Sequence, residues 1–378
     1  MVQEKDLNKS EYKIRLSKPY IGDKEELLKL IGEILETGYL TQGKYVAKLE
    51  EEIANYLGVK YAIALSSGTS ALHLSLISLD IGPDDEVIVP AYTFPATANV
   101  VELVGAKPVF IDVELNTYNI NVEKIEEVIS SKTKAIIPVH LFGNPCNMEP
   151  IINISRETGI KVIEDAAGAF GSIYKGERCG TIGDIGCFSF HPRKIITTGE
   201  GGVVVTNNDE IAEKILQLRN HGMKKEESRY DFVSAGFNYR MNELEAVLGI
   251  NQIREIEKII SERQEIAKLY IDLLKGIPDI AFQQTLPNST TVWQAFVIRL
   301  KSKENKSVLD SLKNERIEAN IGTYALHLLT YYSKKYRYSP EDYPNAYELY
   351  AKSIALPFYN EISETEIRRV VEILRGVL

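Results

Sequence analysis

Short runs of β-branched and other apolar residues alternate with amphipathic segments from about residue 44 onward. Such alternation predicts helical crossovers between strands, and therefore a mainly parallel sheet with helices on both faces. The runs that predict strands lie at residues 60–65, 86–89, 107–112, 135–140, 161–165, 186–190 and 202–206. The pattern therefore predicts an α/β fold built on a mainly parallel seven-stranded sheet.

Apolar residues spaced three or four apart predict amphipathic helices among these strands. Three of the predicted helices lie at residues 70–79, 122–129 and 209–218. A longer periodic stretch, 242–274, has no strong internal breaker. It therefore predicts one continuous connecting helix.

A long connecting helix over this stretch predicts a domain boundary near residue 255. Beyond it, the sequence predicts a strand at 292–300, a helix at 307–315 and a terminal helix at 364–374 with Ser363 as its N-cap. We expect residues 1–255 to form an N-terminal segment and a large domain. Residues 256–378 are expected to form a smaller C-terminal α+β domain.

Charge and hydropathy exclude several classes of protein. The 378 residues include 44 Lys and Arg against 53 Asp and Glu, a formal net charge of −9. This acidic balance lacks the basic surface that neutralises nucleic-acid phosphates. Residues 1–10 are polar, and no run approaches the roughly 18 apolar residues of a membrane span. We therefore expect a cytoplasmic protein that binds neither nucleic acid nor membrane.

The three cysteines, Cys146, Cys179 and Cys187, form no CxxC pair and are odd in number. This argues against a disulfide framework and against a thiolate zinc site. We expect free thiols, buried or half-buried, and no metal.

Candidate chemistry lies where the predicted strands end. Residues 65–72, with the sequence LSSGTSAL, leave a strand, turn on small residues and begin a helix. Backbone N–H groups and the helix dipole converge at such a turn, so an anion can bind there. Ser and Thr are also ordinary helix N-caps, and this turn alone leaves both interpretations open.

Two further strand ends carry charged residues. Asp165 ends the strand 161–165, at the edge where open α/β sheets bind ligands. A carboxylate there either caps a helix or keeps the pyridinium nitrogen of pyridoxal 5'-phosphate (PLP) protonated. Lys194 follows the strand 186–190 and precedes a Gly-rich turn. It is either an ordinary surface lysine or a desolvated Schiff-base nucleophile.

The order of these three features decides between the alternatives. An anion-binding turn, a carboxylate and a lysine occupy three strand ends of one predicted sheet. Together they predict a PLP site with Lys194 as the catalytic residue.

Several motifs occur in order: SGTSALH at 67–73, PAYTF at 90–94, EDAA at 164–167, FSFHPRKIITTGEGG at 188–202 and GFNYRM at 236–241. With these motifs the sequence resembles the DegT/StrS family of sugar aminotransferases, within the fold-type I, aspartate-aminotransferase-like PLP enzymes. The resemblance covers nearly the whole chain.

The resemblance implies roles for the residues that bind the cofactor. Gly68, Thr69 and Ser189 would bind the PLP phosphate. Phe94 would stack on the pyridine ring, and Asp165 would pair with the ring nitrogen. Without the resemblance, Phe94 would equally be a core aromatic residue.

The same resemblance extends to the partner subunit and the substrate. Asn238, otherwise a turn residue, is similar to a family asparagine that reaches a phosphate across a dimer interface. We therefore expect an obligate homodimer with two shared active sites. Residues 322–327 resemble a loop near the sugar nucleotide, which suggests Tyr324 and His327 as substrate contacts. Arg240 would meet an acidic donor or a phosphate, whereas a lone histidine is more often structural.

Two positions refine the expected function. After residues 164–167, many relatives carry Gln, His or Glu near the PLP hydroxyl, but this chain has Gly168. Water or another side chain would have to replace that contact. A deoxygenating branch of the family has histidine in place of the Schiff-base lysine, so Lys194 favours amino transfer.

The resemblance suggests glutamate as amino donor and a 4-keto-6-deoxy or 3-keto sugar nucleotide as acceptor. The product would be an amino sugar for a surface glycan or a secondary metabolite. An aminotransferase acting on a cyclic ketone such as an inosose is an alternative that the cofactor motifs leave open. A regulatory DNA-binding role is a further alternative, and the acidic charge balance argues against it.

Overall fold

A computed structural model describes residues 12–226 and 229–378 of the chain. The α-helices are α1 (Lys24–Thr37), α2 (Lys44–Leu57), α3 (Gly68–Ser78), α4 (Ala96–Leu103), α5 (Ile125–Val128), α6 (Met148–Thr158), α7 (Asp209–Arg219), α8 (Glu243–Ile253), α9 (Ile256–Leu274), α10 (Asn305–Asn314), α11 (Thr330–Tyr336), α12 (Pro344–Lys352) and α13 (Glu364–Val377). Residues 1–11, the start of the predicted large domain, lie outside the described residues.

The strands are β1 (Tyr61–Leu65), β2 (Glu86–Pro90), β3 (Tyr92–Thr93), β4 (Lys107–Ile111), β5 (Thr133–Ile136), β6 (Lys161–Asp165), β7 (Ile173–Tyr174), β8 (Glu177–Arg178), β9 (Ile185–Ser189), β10 (Gly202–Thr206), β11 (Met223–Glu226), β12 (Arg229–Phe232), β13 (Ile280–Phe282), β14 (Ser289–Thr290), β15 (Phe296–Leu300), β16 (Asn320–Ile321), β17 (Tyr324–Ala325) and β18 (Ser353–Leu356).

All seven predicted strands join one sheet, in the order β1-β10-β9-β6-β5-β2-β4. The pairs from β9 to β4 are parallel, and β10 is antiparallel to both of its neighbours. This confirms the predicted α/β fold with a mainly parallel sheet. Since β1 and β9 both oppose β10, their carboxyl ends lie at the same edge as that of β6.

Alternation along the central strands divides the apolar side chains between two cores. In β2, Val87 and Val89 pack in one core, while Ile88 packs in the other. Successive side chains of a strand point to opposite faces, so a strand covered on both faces is apolar throughout. Helices α3, α4 and α7 supply residues to the first of these cores, and α2, α6 and α8 to the second.

A second sheet lies in the C-terminal part, with the antiparallel order β13-β15-β18-β16. Its apolar residues form a third core with α10 and α13. Helix α13 begins at the predicted cap, Ser363. The Ser363 Oγ accepts a hydrogen bond from the Glu366 N–H, and the Glu366 carboxylate accepts one from the Ser363 N–H. Ile14 also packs in this core, whereas Ile256 packs in the core around Ile88. The division at residue 255 therefore stays a prediction.

The single helix predicted at 242–274 is wrong, because α8 and α9 are separated by a turn at Arg254 and Glu255. Glu255 leaves helical geometry with φ −106° and ψ 11°. Its carboxylate accepts hydrogen bonds from the Tyr20 hydroxyl (2.7 Å) and from Lys258 Nζ (3.0 Å). Neither Gly nor Pro occupies the turn, so no helix-breaking residue marks it in the sequence. The break instead coincides with the contact between Glu255 and Tyr20, which is distant in sequence.

The cysteines match the prediction, since Cys146, Cys179 and Cys187 are buried free thiols. Within the described ranges, no helix combines the length and apolar character that crossing a bilayer demands.

Candidate active site

A cavity of about 540 Å³ opens at the carboxyl ends of β1, β6 and β9. The three predicted strand ends meet there. Gly202 of β10 pairs with Leu65 of β1 on one side and with Ser189 of β9 on the other, and Asp165 at the end of β6 pairs with Cys187 of β9. The candidate residues on the cavity wall are Gly68, Thr69, Phe94, Asp165, Ser189, Lys194 and Tyr324.

The turn after β1 presents free backbone donors to the cavity. Ser67 caps α3 through a capping box, since its Oγ accepts from the Ser70 N–H at 3.0 Å and Ser70 Oγ accepts from the Ser67 N–H. Within the described residues, the N–H groups of Gly68 and Thr69 find no acceptor. Orphan donors at a helix N-terminus are suited to bind a phosphate.

Gly68 is required by the close approach of this turn to β9. A Cβ at position 68 would lie 2.7 Å from the Cβ of Ser189. Any larger residue would therefore push Ser189 away from the N-terminus of α3. Ser189 and the turn together form one polar wall of the cavity.

Asp165, the last residue of β6, is 5% exposed. Its Oδ2 accepts a hydrogen bond from Thr97 Oγ1 at 2.8 Å, and its Oδ1 accepts from the Ala167 N–H at 3.2 Å. These donors fix the carboxylate at the floor of the cavity. It can therefore receive a proton-bearing ring nitrogen without reorganisation.

Lys194 lies in the loop after β9, with its backbone N–H bonded to His191 O at 2.8 Å. The residue is half-buried and lines the cavity. Burial lowers the pKa of Lys194, the Asp165 carboxylate opposes this, and the positive charge of Arg193 reinforces it. A lysine whose neutral form is favoured is a better nucleophile and proton acceptor at neutral pH.

Aromatic side chains form the outer wall. Phe94 is 62% exposed, so one face of its ring is free to stack on a planar ligand. Tyr324 of β17 approaches Phe94 edge-on, with ring centroids 6.3 Å apart. It is positioned because β17 pairs with β3, directly before Phe94.

Three predicted site residues do not line this cavity. Asn238 is exposed, and its backbone bridges to Asn220. Arg240 donates to Asn220 Oδ1 at 2.5 Å. His327 is fully buried against the ring of Tyr343, and neither ring nitrogen has a hydrogen-bond partner among the described residues. Their proposed ligand contacts stay predictions.

A buried polar cluster supports the floor from behind. Glu164 is fully buried, and its carboxylate accepts hydrogen bonds from His140 Nε2 and from the N–H groups of Gly180, Ile182 and Gly183, at 2.6 to 2.8 Å. The N–H of Cys146 donates to His140 Nδ1 at 3.0 Å. The proton of this imidazole therefore lies on Nε2, toward Glu164.

The sequence reasoning missed two side chains at the site. Thr97 is separated from Asp165 by 68 residues, and no local pattern links them. Gln294 lines the cavity and donates from Nε2 to Arg193 O at 2.7 Å, 101 residues away. The missing side chain at Gly168 was the only sequence signal that another group completes the site.

These groups fit PLP part by part. Free N–H donors beside a serine suit its phosphate, a buried carboxylate suits its ring nitrogen, and an exposed ring suits its planar face. A half-buried lysine with a lowered pKa suits its aldehyde. Both charged groups meet the same cavity as the phosphate turn.

Comparisons with known proteins agree with this chemistry. A sequence profile of the DegT/DnrJ/EryC1/StrS aminotransferase family matches residues 22–375. The chain is 36% identical to the spore coat polysaccharide biosynthesis protein SpsC of Bacillus subtilis, covering 96% of each chain. It is 36% identical to the GDP-perosamine synthase of Caulobacter vibrioides, covering 92% of this chain and 94% of that protein.

The fold is also similar to that of a protein described as a sugar aminotransferase, Spr1654 from Streptococcus pneumoniae. The TM-score to its PMP form is 0.91, with 29% identity, and the match covers 97% of this chain and 98% of Spr1654. Spr1654 has also been solved in a PLP form.

Proposed function

Because the chain belongs to the DegT/DnrJ/EryC1/StrS aminotransferase family, we propose that it transfers an amino group from glutamate to a keto sugar carried on a nucleotide. It is a PLP-dependent aminotransferase. The observation that carries the proposal is the position of Lys194, half-buried in the same cavity as Asp165. Lysine at this position, rather than histidine, favours amino transfer over dehydration.

The residues that hold the cofactor follow from the site. The N–H groups of Gly68 and Thr69, with Ser189, bind the phosphate. Asp165 holds the proton of the ring nitrogen, and Thr97 keeps the Asp165 carboxylate aligned. Phe94 stacks on the ring.

The catalytic work of the chain itself is proton transfer. Bound PLP withdraws electrons from the substrate carbon that loses its proton, and a protonated ring nitrogen strengthens this effect. Lys194 Nζ would take that proton as general base and deliver it as general acid to the former aldehyde carbon of the cofactor, two bonds away across the shared nitrogen. Its lowered pKa favours the neutral amine that the first of these steps needs.

The nature of the acceptor rests on the relatives. One is named for GDP-perosamine synthesis, and another for the biosynthesis of a spore coat polysaccharide. A keto sugar nucleotide, such as a 4-keto-6-deoxy hexose, is therefore the proposed acceptor, and an amino sugar for a glycan or a secondary metabolite the product. The test is mass spectrometry of products from a panel of keto sugar nucleotides incubated with glutamate.

We expect one nucleotide sugar to gain an amino group while glutamate becomes 2-oxoglutarate. If none reacts and a cyclic ketone such as an inosose is aminated instead, the proposed acceptor is wrong but the aminotransferase assignment holds.

Lys194 is tested by chemical trapping. Borohydride should fix the cofactor onto Lys194 of the wild-type enzyme, and peptide mass spectrometry should locate the adduct. Lys194→Arg keeps the positive charge but should give neither adduct nor turnover. If Lys194→Arg retained both, the catalytic assignment would be wrong.

We also propose that the enzyme is a homodimer with shared sites. The support is that Asn238 is exposed and lies off the cavity of its own chain. In the dimer, its amide would reach the phosphate in the partner's site. Asn238→Ala should weaken PLP retention while leaving the fold intact. A protein that is monomeric by light scattering and still fully active would refute the shared site.

A further inference from the structure

The wall of the cavity beside Asp165 lacks a side chain at Gly168, and Gln294 occupies that place. A Cβ built on Gly168 would lie 3.3 Å from Gln294 Oε1 and 3.5 Å from Gln294 Cβ. The Gln294 side chain therefore covers the backbone of Gly168. Both residues line the same cavity as Lys194.

Gln294 is held in this position from both ends. Its backbone N–H donates to Phe142 O at 2.9 Å, and its side-chain Nε2 donates to Arg193 O at 2.7 Å. Arg193 directly precedes Lys194, so the amide of Gln294 is tied to the backbone of the reactive loop. An amide nitrogen carries two hydrogens, and this contact uses one of them.

The segment that carries Gln294 is clamped by a buried arginine. Arg263, 5% exposed, donates from Nε to Trp293 O and from Nη2 to Gln294 O, both at 2.9 Å. Trp293 adopts a left-handed backbone with φ 52°, which is unfavourable for a bulky residue. Unfavourable backbone geometry persists where its surroundings over-determine it, and such positions cluster at ligand sites.

We propose that the second hydrogen of the Gln294 amide binds the phenolic oxygen of the PLP ring, replacing a side chain that Gly168 lacks. This inference rests on the proposed roles of Lys194 and Asp165. In PLP the phenolic oxygen is on the carbon next to the one that bears the aldehyde. The Gln294 amide is hydrogen-bonded to the backbone of Arg193, the residue before Lys194. It therefore lies on the side of the site where the aldehyde meets Lys194, next to the phenolic oxygen.

The contact has a predictable effect on the bound cofactor. A donated hydrogen bond stabilises negative charge on the phenolic oxygen. It therefore favours the deprotonated form of the cofactor's linkage to Lys194. Removing the donor should raise the pH at which the visible absorbance of the bound cofactor titrates. The expected rise is about one pH unit, the size of one hydrogen bond to a charged oxygen.

The first experiment is a spectroscopic pH titration of the holoenzyme, reduced with borohydride at the end to confirm attachment to Lys194. Gln294→Ala should raise the titration midpoint by about one unit. Gln294→Glu keeps the shape of the side chain but adds a negative charge, so it should raise the midpoint at least as much. Gln264→Ala is the matched control, because Gln264 Nε2 bonds Thr291 O outside the cavity. Its midpoint should equal that of the wild type.

A rescue variant separates a ligand contact from a merely structural role. In Gln294→Ala the space beside Gly168 is open, because the Gln294 side chain that filled it is gone. Adding Gly168→Gln to this variant can therefore bring an amide into the same space from residue 168. We expect the double variant to return the midpoint toward the wild-type value.

Two outcomes overturn the inference alone: Gln294 variants that titrate like the wild type, or a shifted midpoint that Gly168→Gln leaves unchanged. A wild-type enzyme that shows no borohydride adduct at Lys194 would instead refute the proposed role of Lys194. The two failures are therefore distinguishable.

Discussion

Glu164→Gln is the substitution for which the structure predicts the clearest loss of stability. The Glu164 carboxylate accepts four hydrogen bonds, two at each oxygen: Ile182 and Gly183 N–H at Oε1, and His140 Nε2 and Gly180 N–H at Oε2. Glutamine has the same shape but replaces one oxygen by an NH2 group. In either orientation of the amide, two donors then face a donor.

A change of histidine tautomer cannot relieve this conflict. If His140 moved its proton to Nδ1, that hydrogen would face the N–H of Cys146, which now donates to Nδ1. Two buried donors therefore stay unpaired, at about 1–3 kcal/mol each, or roughly 2–6 kcal/mol in total. For a chain of this length each kcal/mol lowers Tm by about 2 °C, so we expect a decrease of roughly 4–12 °C.

Two measurements check this prediction. Differential scanning fluorimetry gives the change in Tm, and Glu157→Gln on the exposed face of α6 is the control for a lost surface charge. Hydrogen exchange should also show faster exchange of the amides of Gly180, Ile182 and Gly183. A Glu164→Gln enzyme with Tm within about 1 °C of the wild type and unchanged exchange at these amides would refute the reasoning.

Other expected outcomes rest on single contacts. Thr97→Val removes the donor to Asp165 and should weaken PLP retention about tenfold in equilibrium dialysis; unchanged retention would contradict the proposed alignment. Burial lowers the pKa of His327 from about 6.5 to about 4, so stability should fall as pH drops between these values, by about 2 kcal/mol at pH 5. Urea unfolding at pH 7 and pH 5 should show a smaller pH dependence for His327→Phe, and an equal dependence would be inconsistent with this origin. Arg263→Met leaves Trp293 O and Gln294 O without their donor, so it should lower the unfolding free energy by more than about 2 kcal/mol and shift the cofactor titration as Gln294→Ala does; a wild-type Tm and titration would argue against the clamp.

Much of the fold was predictable because its signals are local. Strands β6 and β10 coincide with their apolar runs, and Ser363 caps α13 as its sequence predicts. The break between α8 and α9 was not predictable from local sequence. It coincides with the bonding of Glu255 to Tyr20, which lies 235 residues away in sequence.

The candidate site divides in the same way. Lys194 and Asp165 were predicted because Asp165 ends one strand and Lys194 follows another, and both strand ends can be read from nearby residues. Thr97 and Gln294 act across 68 and 101 residues, and only the folded chain shows which groups they contact. Gly168 marked the gap in the sequence, but not the side chain that fills it. Arg240 and His327 lie off the wall of this cavity, and their proposed contacts with a ligand stay predictions.

The two carboxylates at the end of β6 also make the length of this strand unusually critical. Glu164 and Asp165 are adjacent, so they point to opposite faces of the sheet, one toward the loop at residues 180–183 and one toward Thr97. Inserting or deleting one residue earlier in β6 would move each carboxylate to the other face of the sheet and leave both without their hydrogen-bond donors. Homologous recombination or loop grafting with relatives should therefore tolerate apolar exchanges at Val162 and Ile163, but neither changes at Glu164 and Asp165 nor a change in the number of residues of β6.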